Sequence, residues 1–291
     1  MRNPVIKDLK KNKIISDKNL EVLSNKVRNK KNIKVFQDKV TKVIFLEKFL
    51  TGKNHFAKQD IYKKKGEFNL KINGKIKKLK RLKDDIRRKK QFNKLTKNKI
   101  ICDYGCGDGN FIKKIDNAKI RYALDINKNN STYFKKKITF VKTLSEIKTK
   151  LDVVFLFHSL HYIPEQIKIL KELNKKMNKK GLIIIEVPNA KDFLLQNDIT
   201  QEFKKFSFHM ENLIWHTQKS LKKFLECAGF KKIKINFFQR HDINNHLNWI
   251  INNGNNYNSL KYIKNKKQNY RYQKKLIDSG QSDTLIAVAQ K

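Results

Sequence analysis

Residues 99–110 read Lys-Ile-Ile-Cys-Asp-Tyr-Gly-Cys-Gly-Asp-Gly-Asn, and the fold follows from how this stretch is punctuated. A short apolar run ends in Asp103. Three glycines then alternate at Gly105, Gly107 and Gly109, and a helix-compatible segment follows at 110–117. Alternating glycine strips side chains from a strand-to-helix turn, so a flat ligand can lie against bare backbone near a helix N-terminus.

Outward from that loop, apolar runs recur at 121–125, 138–142, 152–158 and 182–187. Helix-compatible stretches lie between them at 164–178 and, with a poorer pattern, near 129–137. Alternation at this spacing predicts βαβ units and a mainly parallel sheet with helices on both faces, an α/β architecture. Thr217 is a suitable N-cap for a helix over 218–227 that closes at Gly229. Strands are expected at 232–238 and 283–289. The residues between them, from about 240 to 281, read as an insertion, helical at 244–252 and 258–277.

Upstream, Ile76, Leu79, Leu82, Ile86, Phe92 and Leu95 recur mostly at three- and four-residue steps, which predicts an amphipathic helix over 75–97. Residues 33–38 and 42–47 read as two strands of a hairpin turning at Asp38 to Thr41. Residues 1–30 are polar and lysine-rich, with weak helical periodicity. The expected organisation is an N-terminal extension over 1–74, carrying the hairpin, and a main domain over 75–291.

The bulk composition bounds the rest. A chain of 291 residues can bury a full core, and 39% hydrophobic content argues against wholesale disorder. No apolar stretch approaches the ~20 residues needed to span a bilayer. Met1 to Lys13 has no apolar centre of the kind a signal peptide carries. Cys102, Cys106 and Cys227 form no metal-binding spacing, which fits a reduced, cytoplasmic protein. The formal charge of +42 would suit a nucleic-acid binder. The lysines run through every segment, however, alongside abundant asparagine and isoleucine, all residues of AT-rich codons. The charge therefore reads as composition rather than as a dedicated nucleic-acid face.

Asp103 and Asp125 end consecutive predicted strands. A carboxylate at Asp125 can accept both hydrogens of a ribose diol. A dinucleotide site shares this logic, but its fingerprint is Gly-x-Gly-x-x-Gly. An acid at Asp103 would sit badly beside a pyrophosphate and suits a ligand carrying an amino group and a sulfonium.

The stretch from Ile101 to Asn110 resembles motif I of the class I S-adenosylmethionine-dependent methyltransferases. Ala-Leu-Asp125-Ile resembles their second motif, and Leu151 to Ile163 their fourth strand and following loop. Gly181 to Asn189 is similar to the fifth strand, and Ser220 to Phe230 to the helix and Ala-Gly-Phe turn before the sixth. The resemblance covers about residues 75–291. It implies a Rossmann-like seven-stranded sheet with its last strand antiparallel, and S-adenosylmethionine as cofactor. The methionine part would lie on Asp103, Gly105, Cys106, Gly107 and Gly109, and the ribose on Asp125. Thr143 and Leu144 would flank adenine, with His158 also beside the cofactor. Many members carry an acid where this chain has Thr143-Leu144-Ser145.

A narrower likeness links the hairpin near 33–47, followed by Tyr62, to bacterial methyltransferases of surface-sugar and other small-molecule biosynthesis. Phe238 to Trp249 and Ser282 to Ala287 are similar to segments of that group. Relatives often carry a Cys-x-x-Cys knuckle in the N-terminal region. This chain has no cysteine before Cys102, so no metal is expected.

Methyl transfer is an in-line displacement in which the protein supplies alignment and sometimes a base. The candidate bases are His158, His161, His209 and His216; packing or capping is the alternative for the first two. His158 and His161 have the spacing of a metal pair but no third ligand. His209 and His216 lie among Phe206, Phe208, Met210, Leu213 and Trp215, which read as a substrate-covering lid or as a plain hydrophobic cover. Tyr257, Tyr262, Tyr270 and Tyr272 are interleaved with lysine and would stack bases or form the buried face of an insertion helix. The expected substrate is a small molecule with an oxygen acceptor. Methylation of RNA or tRNA is the first alternative, although no Asn-Pro-Pro-Tyr-like motif or catalytic Pro-Cys pair is present. A non-catalytic scaffold is the second alternative.

Overall fold

The computed structural model describes residues 1–28, 30–51, 55–58, 69–72, 75–78, 81–134, 137–254, 263 and 265–291. Tyr62, Tyr257 and Tyr262 lie outside the described residues.

The strands, in chain order, are Leu20–Val27 (β1), Lys30–Asp38 (β2), Ile44–Leu46 (β3), Asn69–Ile72 (β4), Lys75–Lys78 (β5), Ile100–Tyr104 (β6), Ile120–Leu124 (β7), Thr139–Val141 (β8), Leu151–Phe157 (β9), Met177–Pro188 (β10), Ile214–Trp215 (β11), Lys231–Phe238 (β12) and Thr284–Gln290 (β13). The main helices are Val5–Lys11 (α1), Arg81–Thr96 (α2), Gln166–Lys176 (α3), Gln218–Cys227 (α4), Ile243–Asn252 (α5) and Lys266–Asp278 (α6). Seven strands form one sheet in the order β12-β13-β10-β9-β6-β7-β8, and β6 pairs in parallel with both β9 and β7. The Asn189 N–H donates to the Asp283 carbonyl at 3.0 Å and the Lys291 N–H to the Gly181 carbonyl at 2.9 Å, so β13 runs back along β10. The expected mainly parallel sheet with an antiparallel final strand is the fold observed.

Contacts divide the chain into two units. One comprises Met1–Thr51, His158–Leu170 and Ile185–Val288; the other comprises Gly52–Phe157, Lys171–Ile184 and Ala289–Lys291. In the first, β1-β2-β3-β11 form a four-stranded sheet in which β2 and β3 make the expected antiparallel hairpin. Asp38 fixes its turn: Oδ1 accepts the N–H of Val40 at 3.0 Å and of Thr41 at 2.8 Å. The helical reading of residues 1–30 holds only for α1; the alternation of β1 was hidden by bulges between Val22 and Lys26. Val27, Ile33, Val35, Ile44, Leu46, Phe208 and Trp215 pack into one core cluster. Phe208, Leu213 and Trp215 are therefore interior cover rather than a lid, and only Phe206 is substantially exposed. Thr217 caps α4 as expected, in a reciprocal arrangement with Ser220.

In the second unit the helix predicted over 75–97 starts later. Lys75–Lys78 pairs with β4 as a hairpin, and α2 begins at Arg81. Its phase also differs from the apolar reading. Asp85, Arg88, Phe92 and Thr96 are buried, whereas Ile86 is 54% exposed. The helix expected over 110–117 shrinks to the single turn Ile112–Lys114, and that near 129–137 to the 3-10 stretch Lys128–Tyr133. Phe111, Ile112 and Ile115 are buried by that one turn, after which the chain extends toward β7.

Candidate active site

Gly105, Gly107 and Gly109 have φ of 73°, 56° and 73°. Left-handed backbone is disfavoured for residues with a Cβ, which explains the alternation of glycine. The N–H groups of Gly105 and Cys106 both turn onto the Leu124 carbonyl, at 2.8 and 3.1 Å, tying the loop to the end of β7. Asp125, the next residue, accepts the Gly107 N–H on Oδ2 and the Asn127 N–H on Oδ1, each at 2.9 Å. The loop and Asp125 are thus one construction, as the sequence predicts.

A cluster of carboxylates surrounds the loop in this strongly basic chain. Asp103 is 4% exposed, and burial pushes its carboxyl up to about 8; Arg88 opposes the shift, while Asp85, Asp125 and Asp108 add to it. Arg88 Nη1 lies 3.2 Å from Asp85 Oδ1, both residues being buried, and its guanidinium stacks 4.6 Å over the Phe157 ring. Burial also raises the Asp85 carboxyl, against the pull of Arg88. This cluster favours a ligand with net positive charge and disfavours a phosphate. The single 3-10 turn after the loop offers little helix dipole to an anion. Asp85 and Arg88 escaped the sequence reading because apolar spacing pointed to the neighbouring helix face. Charged residues in phase with Phe92 were the available signal.

Other predicted contacts sort differently. A Cβ at Gly109 would meet Phe134 Cε1 at 2.3 Å, so that ring covers one end of the cradle. Phe134 stacks on Phe140 with centroids 5.5 Å apart and was not anticipated from sequence. Thr143 is exposed and its hydroxyl joins a capping box with Glu146; Leu144 begins the 3-10 turn it caps. Burial raises the Cys106 thiol, which makes it an inert neighbour rather than a nucleophile.

The histidines form a second group, within the other unit. The His158 and His161 rings are 5.9 Å apart, His161 and Tyr162 4.1 Å, and Tyr162 and His209 6.0 Å. His158 Nε2 lies 3.1 Å from Glu186 Oε1, and His209 Nδ1 lies 2.9 Å from Glu211 Oε2. His161 is 2% exposed and its Nδ1 has no hydrogen-bond partner. Burial, with His158, His209 and His216 nearby, holds it well below the usual imidazole range. His216 differs: Nδ1 bonds Ser220 Oγ at 3.0 Å and Nε2 bonds Gln166 Oε1 at 2.8 Å. Burial lowers it to about 3, and it serves as a neutral internal link. Glu186 and Gln166 were missed because their partners, His158 and His216, lie in distant segments, and Glu211, two residues from His209, was simply not singled out.

Comparison with known proteins identifies the family. The model of a family described as a methyltransferase domain matches residues 77–235, more than half of the chain. The chain belongs to that family. Curated relatives include the tRNA U34 carboxymethyltransferase of Campylobacter jejuni subsp. jejuni, 27% identical over 160 residues that make up 50% of this chain and 54% of that protein. The chain thus spans about half the length of the curated relatives it matches. Among solved structures, Haemonchus contortus Phospholethanolamine N-methyltransferase 2, with S-adenosylhomocysteine bound, aligns at TM-score 0.50 and 13% identity, covering 85% of this chain and 62% of that one. A SAM-dependent methyltransferase from Archaeoglobus fulgidus aligns at TM-score 0.48 and 19% identity, over 72% of this chain and 93% of that one.

The residues of this methyltransferase suit S-adenosylmethionine. The bare glycine cradle, the acidic surroundings of Asp103 and the carboxylate of Asp125 fit its cationic methionine part and its ribose. No helix among the described residues is long and apolar enough to cross a membrane. The two family-like C-terminal stretches prove to be internal scaffolding of this methyltransferase. Asp283 accepts the N–H groups of Arg240 and His241 at 3.0 Å, and its own N–H donates to Gln239 Oε1 at 3.0 Å. His246 Nδ1 meets the Tyr272 hydroxyl at 2.7 Å. Tyr272 therefore faces inward as expected, but Tyr270 is 65% exposed and is not part of a buried face.

Proposed function

We propose that this methyltransferase transfers the methyl group to an oxygen of a small molecule, such as a sugar or a related biosynthetic intermediate, in the cytoplasm. The domain would run over 75–291, with 1–74 as an extension. The observation that carries the reading is His161. A buried imidazole with an unpartnered Nδ1 costs free energy, and a compact hydroxylated ligand would supply the missing partner.

S-adenosylmethionine supplies an electrophilic methyl group on a sulfonium. The chain's residues divide the remaining work. Gly105, Cys106, Gly107 and Gly109 offer backbone to the methionine part, Asp103 balances its ammonium, and Asp125 accepts from the ribose. His158, Thr143 and Leu144 complete the assignments toward the cofactor. His158, His161 and His209 orient the acceptor, and His216 holds α4 and the start of α3 in register.

A second reading, transfer to tRNA, has its own support in the curated relatives, whose name specifies a tRNA position, and in the net charge of +42. The deciding experiment supplies tritiated S-adenosylmethionine and the protein to a cell extract and separates RNA, protein and small molecules. Label in the small-molecule fraction is the expected result. Label confined to RNA, together with RNA affinity that falls steeply with salt, would replace it with the second reading.

A further inference from the structure

Gln166 opens α3 with no exposure to solvent, and its amide is only half used. Oε1 lies 2.8 Å from His216 Nε2, while Nε2 of the amide has no hydrogen-bond partner. A buried donor without a partner costs free energy. The direction of the amide follows from its neighbours. An amide oxygen only accepts, so His216 carries its hydrogen on Nε2. Burial keeps this ring neutral, and Nδ1 then accepts from the Ser220 hydroxyl at 3.0 Å. Ser220, His216 and Gln166 thus form a chain of hydrogen bonds that all point one way, which strengthens the donor at its end.

His161 supplies a second buried atom without a partner, Nδ1. Its backbone carbonyl accepts the N–H of Leu213 at 3.0 Å, three residues before His216. His216 is also among the groups that, after burial, hold the His161 imidazole neutral. His161, Gln166, His216 and Ser220 all belong to the same unit. The rings of Tyr162 and His158 lie 4.1 and 5.9 Å from that of His161, and both residues are partly exposed, so the cluster reaches solvent at this edge.

We propose that Gln166 Nε2 and His161 Nδ1 bind hydroxyl groups of the acceptor, and that Gln166 thereby selects uncharged, hydroxylated molecules. The proposal deepens the small-molecule reading above and rests on it. A hydroxyl has one hydrogen to give and two lone pairs to accept with. It therefore takes the Gln166 hydrogen, and it satisfies His161 Nδ1 whichever tautomer that ring adopts. A phosphate or carboxylate finds no balancing charge among these neutral side chains. Glu186 beside His158 and Glu211 beside His209 add repulsion against an anion.

The test compares His161→Phe and Gln166→Glu with the wild type. Gln166→Glu keeps an oxygen for His216 and puts a carboxylate oxygen where the donor was. Tritiated S-adenosylmethionine with graded amounts of the small-molecule fraction of a cell extract gives the half-saturating amount of acceptor for each protein. That amount should rise by about tenfold or more in both variants, with the maximal rate falling less, as for a contact made equally in ground and transition states. Nitrogen-15 NMR of histidine-labelled wild type should find His216 as the Nε2–H tautomer. An Nδ1–H tautomer there would turn the Gln166 amide round and overturn the proposal without recourse to any variant. An unchanged half-saturating amount in either variant that folds, checked by circular dichroism, also overturns it and leaves the small-molecule reading in place. Wild-type label confined to RNA overturns that reading instead.

Discussion

Asp125 accepts the backbone N–H of Gly107 at 2.9 Å, so the residue that would hold the ribose also shapes the glycine loop. A carboxylate has about four acceptor positions, which lets it serve a backbone amide and a hydroxyl together. Asp125→Ala should weaken S-adenosylmethionine binding by on the order of 1.5–3 kcal/mol, roughly 10- to 150-fold, because a charge-assisted bond is lost. Asp125→Asn should lose less, since the amide oxygen still accepts. Calorimetric titration ranks the three proteins; equal affinities would remove Asp125 from the site.

Gly109 and Phe134 test the cradle from its other side. Gly109→Ala puts a methyl group 2.3 Å from the Phe134 ring at φ of 73°. The variant should bind cofactor at least tenfold more weakly while remaining folded. Adding Phe134→Ala relieves the clash but not the backbone strain, which is about 1–2 kcal/mol. Partial recovery of affinity in the double variant is the expected outcome, and no recovery would show that the ring does not matter there.

Asp103 makes cofactor binding depend on pH. Its carboxyl is raised to about 8 from 3.8, so the folded protein binds more protons than the unfolded chain between those values. The sign follows from linkage: the contribution of this group to stability is fully present below about 3.8 and declines as pH rises toward 8. A positively charged ligand draws the carboxyl into its ionised form, so binding releases a proton. Affinity should increase between pH 6 and 8, by up to about tenfold per unit if one proton is fully linked. Calorimetry in buffers of different ionisation enthalpy counts the protons released, and Asp103→Asn should abolish that dependence.

His216 and His246 act in the opposite sense on stability. Burial lowers them to about 3 and about 4, against 6.5 in a model imidazole. The unfolded chain then binds more protons than the folded one, so stability present above pH 6.5 is lost progressively as pH falls toward 3. His216→Gln can keep one bond of the Gln166–Ser220 link without titrating. The urea midpoint of this variant should fall less steeply between pH 6.5 and 4 than that of the wild type, although it starts lower at pH 7.

The glycine loop and Asp125 were legible because their requirements are local. A positive φ selects glycine whatever lies far away, and an acid ending a strand beside that loop stays beside it. The same locality explains the correct reading of the Thr217 cap and of the Asp38 turn. The α2 face was misread for a physical reason: its buried side carries Asp85 and Arg88, which pair in the interior with Arg88 also set against Asp103, and apolar spacing cannot reveal a paired charge. The helix after Gly109 was overpredicted because Phe111, Ile112 and Ile115 have helical spacing that a single turn suffices to bury.

The sequence by itself determined the sheet, the order of its motifs and the glycine loop tied to Asp125, since strand periodicity, glycine conformation and strand-end acids are properties of neighbouring residues. Only the tertiary structure separated His216, locked between Gln166 and Ser220, from His161 with its unpartnered nitrogen, and joined His158 to Glu186. Those distinctions depend on groups up to 50 residues apart along the chain, such as His216 and Gln166, meeting in a water-poor interior. There a hydrogen-bond partner decides both the proton and the role of a side chain.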